Sequence, residues 1–503
     1  MITVQLNKTG FEYDIHSLVK AFFPSEDVSV AVSKERAIGE ALFRIVTEYR
    51  ENEIEVSFFS SDAQVREPFL KQTAEVDFSD RKETKNRLKQ ICYKMLSEYT
   101  GRTLPWGNLT GIRPTKIPMA FLNAGKSEAF IRDYMKETYF TSDEKIGLSI
   151  DIAKREKELL SKLDYENGYS LYIGIPFCPS TCLYCSFTSY PLGIWEKRVD
   201  EYLLALEKEI AFVAKRFGNR HLNTVYIGGG TPTTLKPAQL NRLIRYLKQN
   251  LDFSYCREFT VEAGRPDSIT GEKLAVLKEQ NVSRISINPQ TMNEKTLRLI
   301  GRNHTAEQTV ESFHLARELG FDNINMDLII GLPNETDQDV DHTMRCIAKL
   351  CPDNLTVHSL ALKRAARLSM FREEYRDLVF ENTEKTVGLT ADYAKRMGME
   401  PYYLYRQKNM AGNFENVGYA APGKAGIYNV LIMEEKQSII ACGAGSISKR
   451  VHPDGRIERC ENVKDVALYI EKIDEMIERK RKLLADESVK LKKDGISGKS
   501  KIK

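Results

Sequence analysis

No apolar run in these 503 residues reaches the roughly 18–20 needed to cross a bilayer as a helix, so a helical membrane protein is excluded at the outset. Met1 to Lys8 carries no basic stretch leading into an apolar core; no secretory signal is expected, and a cytoplasmic location with it. Charge of one sign is also lacking. The net charge is +4, and between Met476 and Lys503 lysine and arginine far outnumber the acids, which leaves the body close to neutral. A near-neutral body gives no electrostatic footprint for nucleic acid. The Lys-rich end reads as a solvated helix followed by a frayed tail, with an anionic surface as the alternative partner. There is no internal repeat of fixed period and no paired cysteine framework. The composition, 42% hydrophobic, 9% aromatic and 29% charged, excludes a disordered chain, a collagen-like repeat and a disulfide mini-protein. At about 100–200 residues per domain the length allows two to four domains.

Nine cysteines are present, at 92, 178, 182, 185, 256, 346, 351, 442 and 460. An odd count without a signal argues against structural disulfides. Six stand alone. Cys92 lies in a helical stripe with Leu88, Ile91, Met95, Leu96 and Tyr99 and reads as a small core residue. The other three are clustered.

Residues 1–165 read as an α+β block. Alternation at 28–32 and 54–58 predicts short strands, and apolar periodicity predicts helices near 82–99, 127–138 and 142–163. Thr141 and Glu144 fit the N-cap and N3 positions of a capping box for the last of these. The stretch 104–114 holds two prolines, two glycines and Trp106, one of only two tryptophans, and so predicts an ordered loop. It reads equally well as a substrate or interdomain contact and as a packed connection. From about 168 the pattern changes. Short apolar runs at 171–177, 224–228, 259–262, 285–288, 324–327 and 355–359 alternate with amphipathic helices near 196–217, 237–249, 271–279, 305–319 and 336–349. Six strands alternating with helices predict a parallel sheet, closed as a barrel or open and doubly wound, buried on both faces. A third block, 385–475, is mixed, and 476–503 is a basic helix and tail.

Cys178, Cys182 and Cys185 follow the first of these strands with the spacing C-x3-C-x2-C. Three thiolates within eight residues can wrap one compact site, and thiolates select zinc or iron–sulfur. A structural zinc site wants four ligands, usually as two separated pairs, and neither a second pair nor a nearby histidine is present. Three cysteines suit a [4Fe–4S] cluster with one iron left open, and an open iron implies catalysis.

With Tyr184 before the third cysteine, C-x3-C-x-Tyr-C at the end of the first strand resembles the signature of the radical S-adenosylmethionine (SAM) enzymes. The surrounding Tyr172-Ile173-Gly174-Ile175-Pro176-Phe177-Cys178 resembles the oxygen-independent coproporphyrinogen III oxidase, or dehydrogenase, family and its haem-chaperone relatives, over about residues 168–450. The long N-terminal block is similar to a clostridial and bacillar branch of that family. The resemblance implies a partial (β/α)6 barrel, an α+β N-terminal domain over 1–165, a barrel over 166–384 and a small mixed C-terminal domain over 385–475. It implies a [4Fe–4S] cluster on the three cysteines, with the open iron chelating SAM. It places SAM contacts at Tyr172, Tyr184, Gly229, Gly230, Thr231, Glu262, Gln290, Arg302, Asp327 and Ala361. Most of these fall near strand ends, where barrel chemistry collects. Each has a plain structural reading as well: Glu262 and Asp327 as partners of local cations, Arg302 as a solvated helix end, His304 as a structural residue just before a capping box formed by Thr305 and Gln308.

One position departs from the pattern. The family's dehydrogenases carry a fourth cysteine two residues after the third, and here that position is Phe187, as in the haem-chaperone branch. Gly443-Ala444-Gly445-Ser446-Ile447-Ser448 instead resembles the dehydrogenase segment that contacts a second SAM, with Ile447 at the matching place. The favoured expectation is oxygen-independent decarboxylation of two coproporphyrinogen III propionates to vinyl groups, giving protoporphyrinogen IX, with one or two equivalents of SAM and an electron donor such as flavodoxin or ferredoxin. The alternative is a haem chaperone. A monomer is expected. Arg113, Arg406 and Lys408 are loop candidates for clamping spare propionates, and the N-terminal block is expected to cover or select the tetrapyrrole.

Overall fold

The computed structural model describes residues 1–32, 42–62, 65–361, 366–370, 375, 377–380, 382–407 and 414–485; Lys408 and residues 486–503 lie outside them. The chain opens with β1 (Ile2–Leu6), α1 (Glu12–Phe22), β2 (Val28–Val32), β3 (Phe43–Tyr49), β4 (Glu53–Ser60), β5 (Leu70–Glu75) and α2 (Arg81–Thr100). The strands form a sheet in the order β2-β1-β3-β4-β5, with β1 parallel to both neighbours. Ile2, Val4 and Leu6 alternate inward along β1. α2 starts at Asp80, whose carboxylate accepts from the backbone N–H groups of Lys82 and Glu83. Phe22, Phe43, Phe58, Cys92 and Met95 close a separate core between this sheet and its two helices. Cys92 is the core residue expected, whereas Tyr99, at the end of the same stripe, is exposed.

α3 (Lys116–Asn123), α4 (Glu128–Tyr139) and α5 (Asp143–Ser161) follow. Their apolar faces belong to a different core. Ile131, Met135, Ile146, Ile150 and Ile152 cluster with the strands of the second sheet. The N-cap of α5 is Ser142, not Thr141: the Ser142 hydroxyl accepts from Lys145 N–H, and Thr141 is buried. A one-residue shift still leaves Asp143 and Glu144 in the first turn, where the helix dipole favours them.

The loop 104–114 is a packed interdomain connection. Trp106 is fully buried and its Nε1 donates to Glu415 Oε2 at 2.7 Å. Lys145 Nζ lies 2.8 Å from the other oxygen of the same carboxylate. Arg113 pairs with Glu435 at 2.6 Å, and Arg406 Nη1 donates to the Leu109 carbonyl. The reading of this loop as a substrate contact, with Arg113 as a propionate clamp, is therefore corrected, because Trp106 and Arg113 are bound to Glu415 and Glu435. Arg406 is committed in the same way.

The second sheet begins with β6 (Gly168–Ile175). Two short strands, β7 (Phe177–Cys178) and β8 (Tyr190–Pro191), pair with each other and close the cysteine loop between them. Then come α6 (Leu192–Trp195), α7 (Val199–Phe217), β9 (His221–Gly229), α8 (Pro237–Asn250), β10 (Glu258–Gly264), α9 (Gly271–Glu279), β11 (Arg284–Ile287), α10 (Glu294–Leu299), α11 (Ala306–Glu318), β12 (Ile324–Ile330), α12 (Asp337–Leu350) and β13 (Asn354–Ser359). The remainder is α13 (Arg367–Met370), α14 (Glu384–Arg396), β14 (Glu400–Tyr405), β15 (Asn416–Ala420), α15 (Ile427–Glu434), β16 (Ser438–Cys442), β17 (Ile447–Val451), β18 (Ile457–Glu461), α16 (Val466–Glu471) and α17 (Ile473–Leu483). The six strands read from the sequence lie side by side and parallel, in the order β13-β12-β11-β10-β9-β6. The architecture is the expected α/β barrel sheet, and the 385–475 stretch continues it at both edges. β15 and β14 add antiparallel strands beside β13, while β16 joins β6 in parallel and carries β17 and β18.

α17 overturns the reading of a solvated basic helix. Met476, Lys480 and Leu483 are buried on one face while Glu478, Arg479 and Arg481 stay outside. Among the described residues no helix is long and apolar enough to cross a membrane.

Candidate active site

The cysteine loop leaves β6 through Pro176 and is tied at several points. Leu183 N–H donates to the Ile300 carbonyl at 3.0 Å, and the Ser180 hydroxyl donates to the Gly301 carbonyl at 2.9 Å. Arg265, immediately after β10, donates to the Ser180 carbonyl and hydroxyl, pairs with Asp267 at 2.6 Å and reaches to 3.9 Å from Cys182 Sγ. Thr231 Oγ1 donates to Cys178 Sγ at 3.4 Å, and Ser189 Oγ lies 3.8 Å from Cys185 Sγ. Burial pushes the Cys178 thiol up to about 11, opposed by the Thr231 hydroxyl and reinforced by the other two thiols; burial also raises Cys185. All nine cysteines of the chain are free. Among the described residues no three cysteine, histidine or acidic side chains are already drawn into ion-coordinating geometry. The three thiols are close enough to raise one another electrostatically.

Arg302 stands against this loop. Tyr184 accepts from Arg302 Nε at 3.2 Å, and Arg302 Nη1 donates to the Asn288 carbonyl at 2.5 Å; Arg302 is buried, not the solvated helix end of its plainer reading. His304 is buried beside it, held neutral by desolvation that pulls it down to about 3, and Thr305 with Gln308 forms the capping box. Gln290 takes a left-handed backbone, φ +70°, between N–H and C=O bonds to Asp327 and Ile329. A non-glycine residue there is strained, and such strain collects at functional sites. Its buried Oε1 has no hydrogen-bond partner. Ala361 follows β13 at the edge of the described residues.

Two positions differ from their expected places. Glu262 and Asp327 do not end their strands: β10 runs on to Gly264 and β12 to Ile330, because the residues that follow continue the sheet pairing. Both side chains therefore sit within the barrel. The Tyr226 hydroxyl donates to Glu262 at 2.6 Å; Asn325 Nδ2 donates to Asp327 at 2.7 Å, and His358 Nε2 lies 3.9 Å from Asp327. Tyr172, Tyr226 and Tyr428 stack beside Glu262 with centroids 4.5–6.4 Å apart. Ile447 lies at the far edge, half-exposed at the start of β17. Phe187 is 70% exposed just past Cys185.

The glycine run serves chain-on-chain contact. A Cβ on Gly230 would lie 2.6 Å from the Phe177 carbonyl oxygen and 2.9 Å from that of Ile175, while Gly230 and Thr231 N–H groups bond those same carbonyls. Gly229 is less tightly placed, a Cβ there lying 3.3 Å from the Ile175 backbone and the Tyr172 hydroxyl. Gly230→Ala should cost about 1–3 kcal/mol in urea unfolding and loosen the cysteine loop, since backbone rather than a flexible side chain must yield. An unchanged midpoint would show that the loop gives way freely.

Sequence reasoning missed Arg265, Tyr226, Tyr428 and His358. Arg265 had a signal, Gly264-Arg265-Pro266 just past a strand end. The two tyrosines had none, because only the packing of α15 against β9 sets Tyr428 against Tyr226 and Tyr172. The residues present fit a cluster and a polar cofactor on three counts: soft donors in the cysteine loop, an orphaned oxygen on Gln290, and a buried carboxylate on Glu262.

Residues 172–347 match the family model described as the radical SAM superfamily. Over 432 residues the chain is 40% identical to the oxygen-independent coproporphyrinogen-III oxidase-like protein HemZ of Bacillus subtilis, covering 85% of this chain and 84% of that protein. It is 42% identical over 198 residues to the haem chaperone HemW of the same organism, covering 39% of this chain and 51% of HemW. Among solved structures, coproporphyrinogen III oxidase (HemN) from Escherichia coli, described as a radical SAM enzyme, superposes with a TM-score of 0.51 at 26% identity, covering 64% of this chain and 73% of that one. With three neighbouring thiols at the end of β6 and a relative of this identity along most of its length, the chain belongs to the radical SAM superfamily, in its oxygen-independent coproporphyrinogen-III oxidase-like branch.

Proposed function

We propose that the protein removes the carboxyl groups of two coproporphyrinogen III propionates oxidatively, leaving vinyl groups, without oxygen. The observation that carries this is the tie of the loop bearing Cys178, Cys182 and Cys185 to Thr231, Arg265, Gly301 and Arg302, in a chain whose relatives include a coproporphyrinogen III oxidase. Cys178, Cys182 and Cys185 would hold a [4Fe–4S] cluster with one iron open to SAM. The cluster and SAM, when bound, would supply the radical chemistry, with one SAM consumed for each of the two propionates. Gln290 Oε1 and the Glu262 carboxylate accept hydrogen bonds from SAM. Arg302 supports Tyr184 against the cysteine loop. Tyr172, Gly229, Gly230, Thr231, Asp327 and Ala361 complete the wall, and Ile447 meets the second equivalent. An outside electron donor of the flavodoxin or ferredoxin class is required. The division near residues 165, 384 and 475 belongs to this reading as one of sequence blocks, since α3–α5 pack into the barrel's core and β14–β18 extend its sheet.

The decisive assay supplies coproporphyrinogen III, SAM and a reductant under argon and looks for protoporphyrin by chromatography. Its appearance supports the reading; SAM cleavage with no vinyl product overturns it. A second reading, haem binding, draws on Phe187, exposed where the dehydrogenases carry a cysteine. It expects stable haem uptake and no vinyl product.

Glu262 gives the proposal a pH signature. Burial pushes it up to about 7, with Asp327 adding and the Tyr226 hydroxyl opposing. The sign follows from the raised value: the folded protein is unpenalised at low pH and loses stability as pH rises through about 7, because it must then bury a charge. Donors on SAM relieve that charge. SAM affinity should therefore strengthen about threefold to tenfold between pH 6 and 8, and Glu262→Gln should flatten the profile. An identical slope in the variant would remove Glu262 from the SAM contacts.

A further inference from the structure

A buried ion pair joins α17 to α7. Lys480 on α17 and Glu209 on α7 are both fully buried, with Nζ 2.6 Å from Oε1. Glu209 gathers three further donors. Tyr469 O–H reaches Oε2 at 2.6 Å, Gly443 N–H reaches Oε2 at 2.8 Å, and Asn462 Nδ2 reaches Oε1 at 2.8 Å. Asn462 also donates to the Gly443 carbonyl at 2.9 Å and accepts from Lys480 at 2.8 Å. Both backbone polar groups of Gly443 are thus held by one network.

What that network holds is a wedge. Gly443 has φ +105°, and a Cβ there would lie 2.5 Å from the Gly174 carbonyl oxygen. A Cβ on Gly445 would lie 2.2 Å from Thr188 Oγ1. Gly174 stands just before the cysteine loop on β6, and Thr188 just after it. Tyr202 adds a strut: its hydroxyl donates to Gly174 O at 2.6 Å and accepts from Ala444 N–H at 3.1 Å. The loop 443–446 therefore touches both roots of the segment that carries the three cysteines.

We infer that Glu209, balanced by Lys480, is the positioning residue for the cysteine loop: it fixes the 443–446 wedge between Gly174 and Thr188 and so sets the geometry in which Cys178, Cys182 and Cys185 receive the cluster. The charge has a reason. A carboxylate can accept four hydrogen bonds over two oxygens, whereas an amide offers one oxygen and turns its N–H groups on the other donors. A buried carboxylate needs a counter-ion, and Lys480 supplies it. Partners that orient a metal's ligands typically change metal retention by about 10–100-fold when removed.

The inference rests on the iron–sulfur reading of the cysteines, so the test separates the two. The full-length chain is compared as Lys480→Met, Glu209→Gln and the double variant, each reconstituted anaerobically. Single variants leave one partner unmatched and should unfold more easily; the double variant carries no unmatched charge and should regain most of the stability that the single variants lose. Loss of iron to a chelator should nevertheless run about tenfold faster or more in the double variant, and the reduced cluster's electron paramagnetic resonance signal should shift. In iron-free protein the double variant should alkylate its three clustered cysteines faster than the parent, a comparison that stands whether or not the parent takes up iron. Parent-like iron retention and alkylation in the stable double variant would reduce the pair to fold support and overturn the inference. A parent that takes up no iron would instead overturn the reading of the cysteines.

Discussion

Cys182→Ala should yield a folded protein that takes up little iron and whose reductive SAM cleavage falls by at least ~10^3-fold, as when a member of an interdependent catalytic set is removed. The fold survives because the loop does not depend on this side chain. The loop is held by Leu183 N–H to the Ile300 carbonyl, the Ser180 hydroxyl to the Gly301 carbonyl and Leu368 N–H to the Leu183 carbonyl. Trading one small buried thiol for a methyl group costs about 1 kcal/mol at most sites. Iron has no such substitute: three thiols are the least that can hold a four-iron cluster with one position open, and no fourth cysteine follows at Phe187. Iron analysis, the visible absorbance band and a chromatographic assay for 5′-deoxyadenosine measure the three effects separately. Full iron in the variant would mean that the cysteines do not bind it as a set.

The same loop explains why so much of the barrel was legible. Parallel strands covered on both faces read as continuous apolar runs, so each of the six could be seen alone. What joins strands distant in sequence could not. β16 is the parallel neighbour of β6, yet Ser438–Cys442 looks like any short apolar run, and only the register of Ile440 on Leu171 reveals it. Glu262 and Asp327 were misplaced for a related reason: a strand's end is set by how far its neighbour continues to pair. The α5 cap moved from Thr141 to Ser142 because both hydroxyl residues satisfy the pattern, and the burial of Thr141 decides between them.

Charged residues misled most. Lys480 sits in a run of lysine and arginine, and composition alone gives it to solvent. Helical periodicity separates it: Ile473, Met476, Ile477, Lys480 and Leu483 share one buried stripe, and the lysine is inward because Glu209 waits opposite. Arg113 and Arg406 had the chemistry of propionate clamps but point to Glu435 and the Leu109 carbonyl. An inventory of residue types cannot distinguish a cation kept for a ligand from one used by the fold.

A protein beginning near residue 166 should fail to fold as a soluble barrel, whereas one beginning near residue 103 should fold and still take up iron. The sequence suggested a block that takes no part in SAM cleavage, since residues 1–165 carry none of the expected SAM contacts. Packing decides it. Trp106, Ile131, Met135, Ile146, Ile150 and Ile152 lie in the barrel's own apolar core. At about 1.5–3 kcal/mol for each buried large side chain, their removal forfeits on the order of 9–18 kcal/mol, comparable with the entire stability of a domain. The cut would also strip Glu415 of both Lys145 and Trp106, leaving a buried carboxylate alone. The earlier cut removes β1–β5, α1 and α2, whose core closes on itself. Its cost is local: the Tyr93–Phe140 stack, the Gln90 bond to the Thr138 carbonyl and the Lys89 bond to Thr110. Soluble yield, circular dichroism and iron content of the two truncated proteins measure the difference. If the shorter protein folds and binds iron, α3 to α5 are an appendage and the strap through Trp106 holds nothing that the barrel needs. If neither folds, the first sheet belongs to the same cooperative unit.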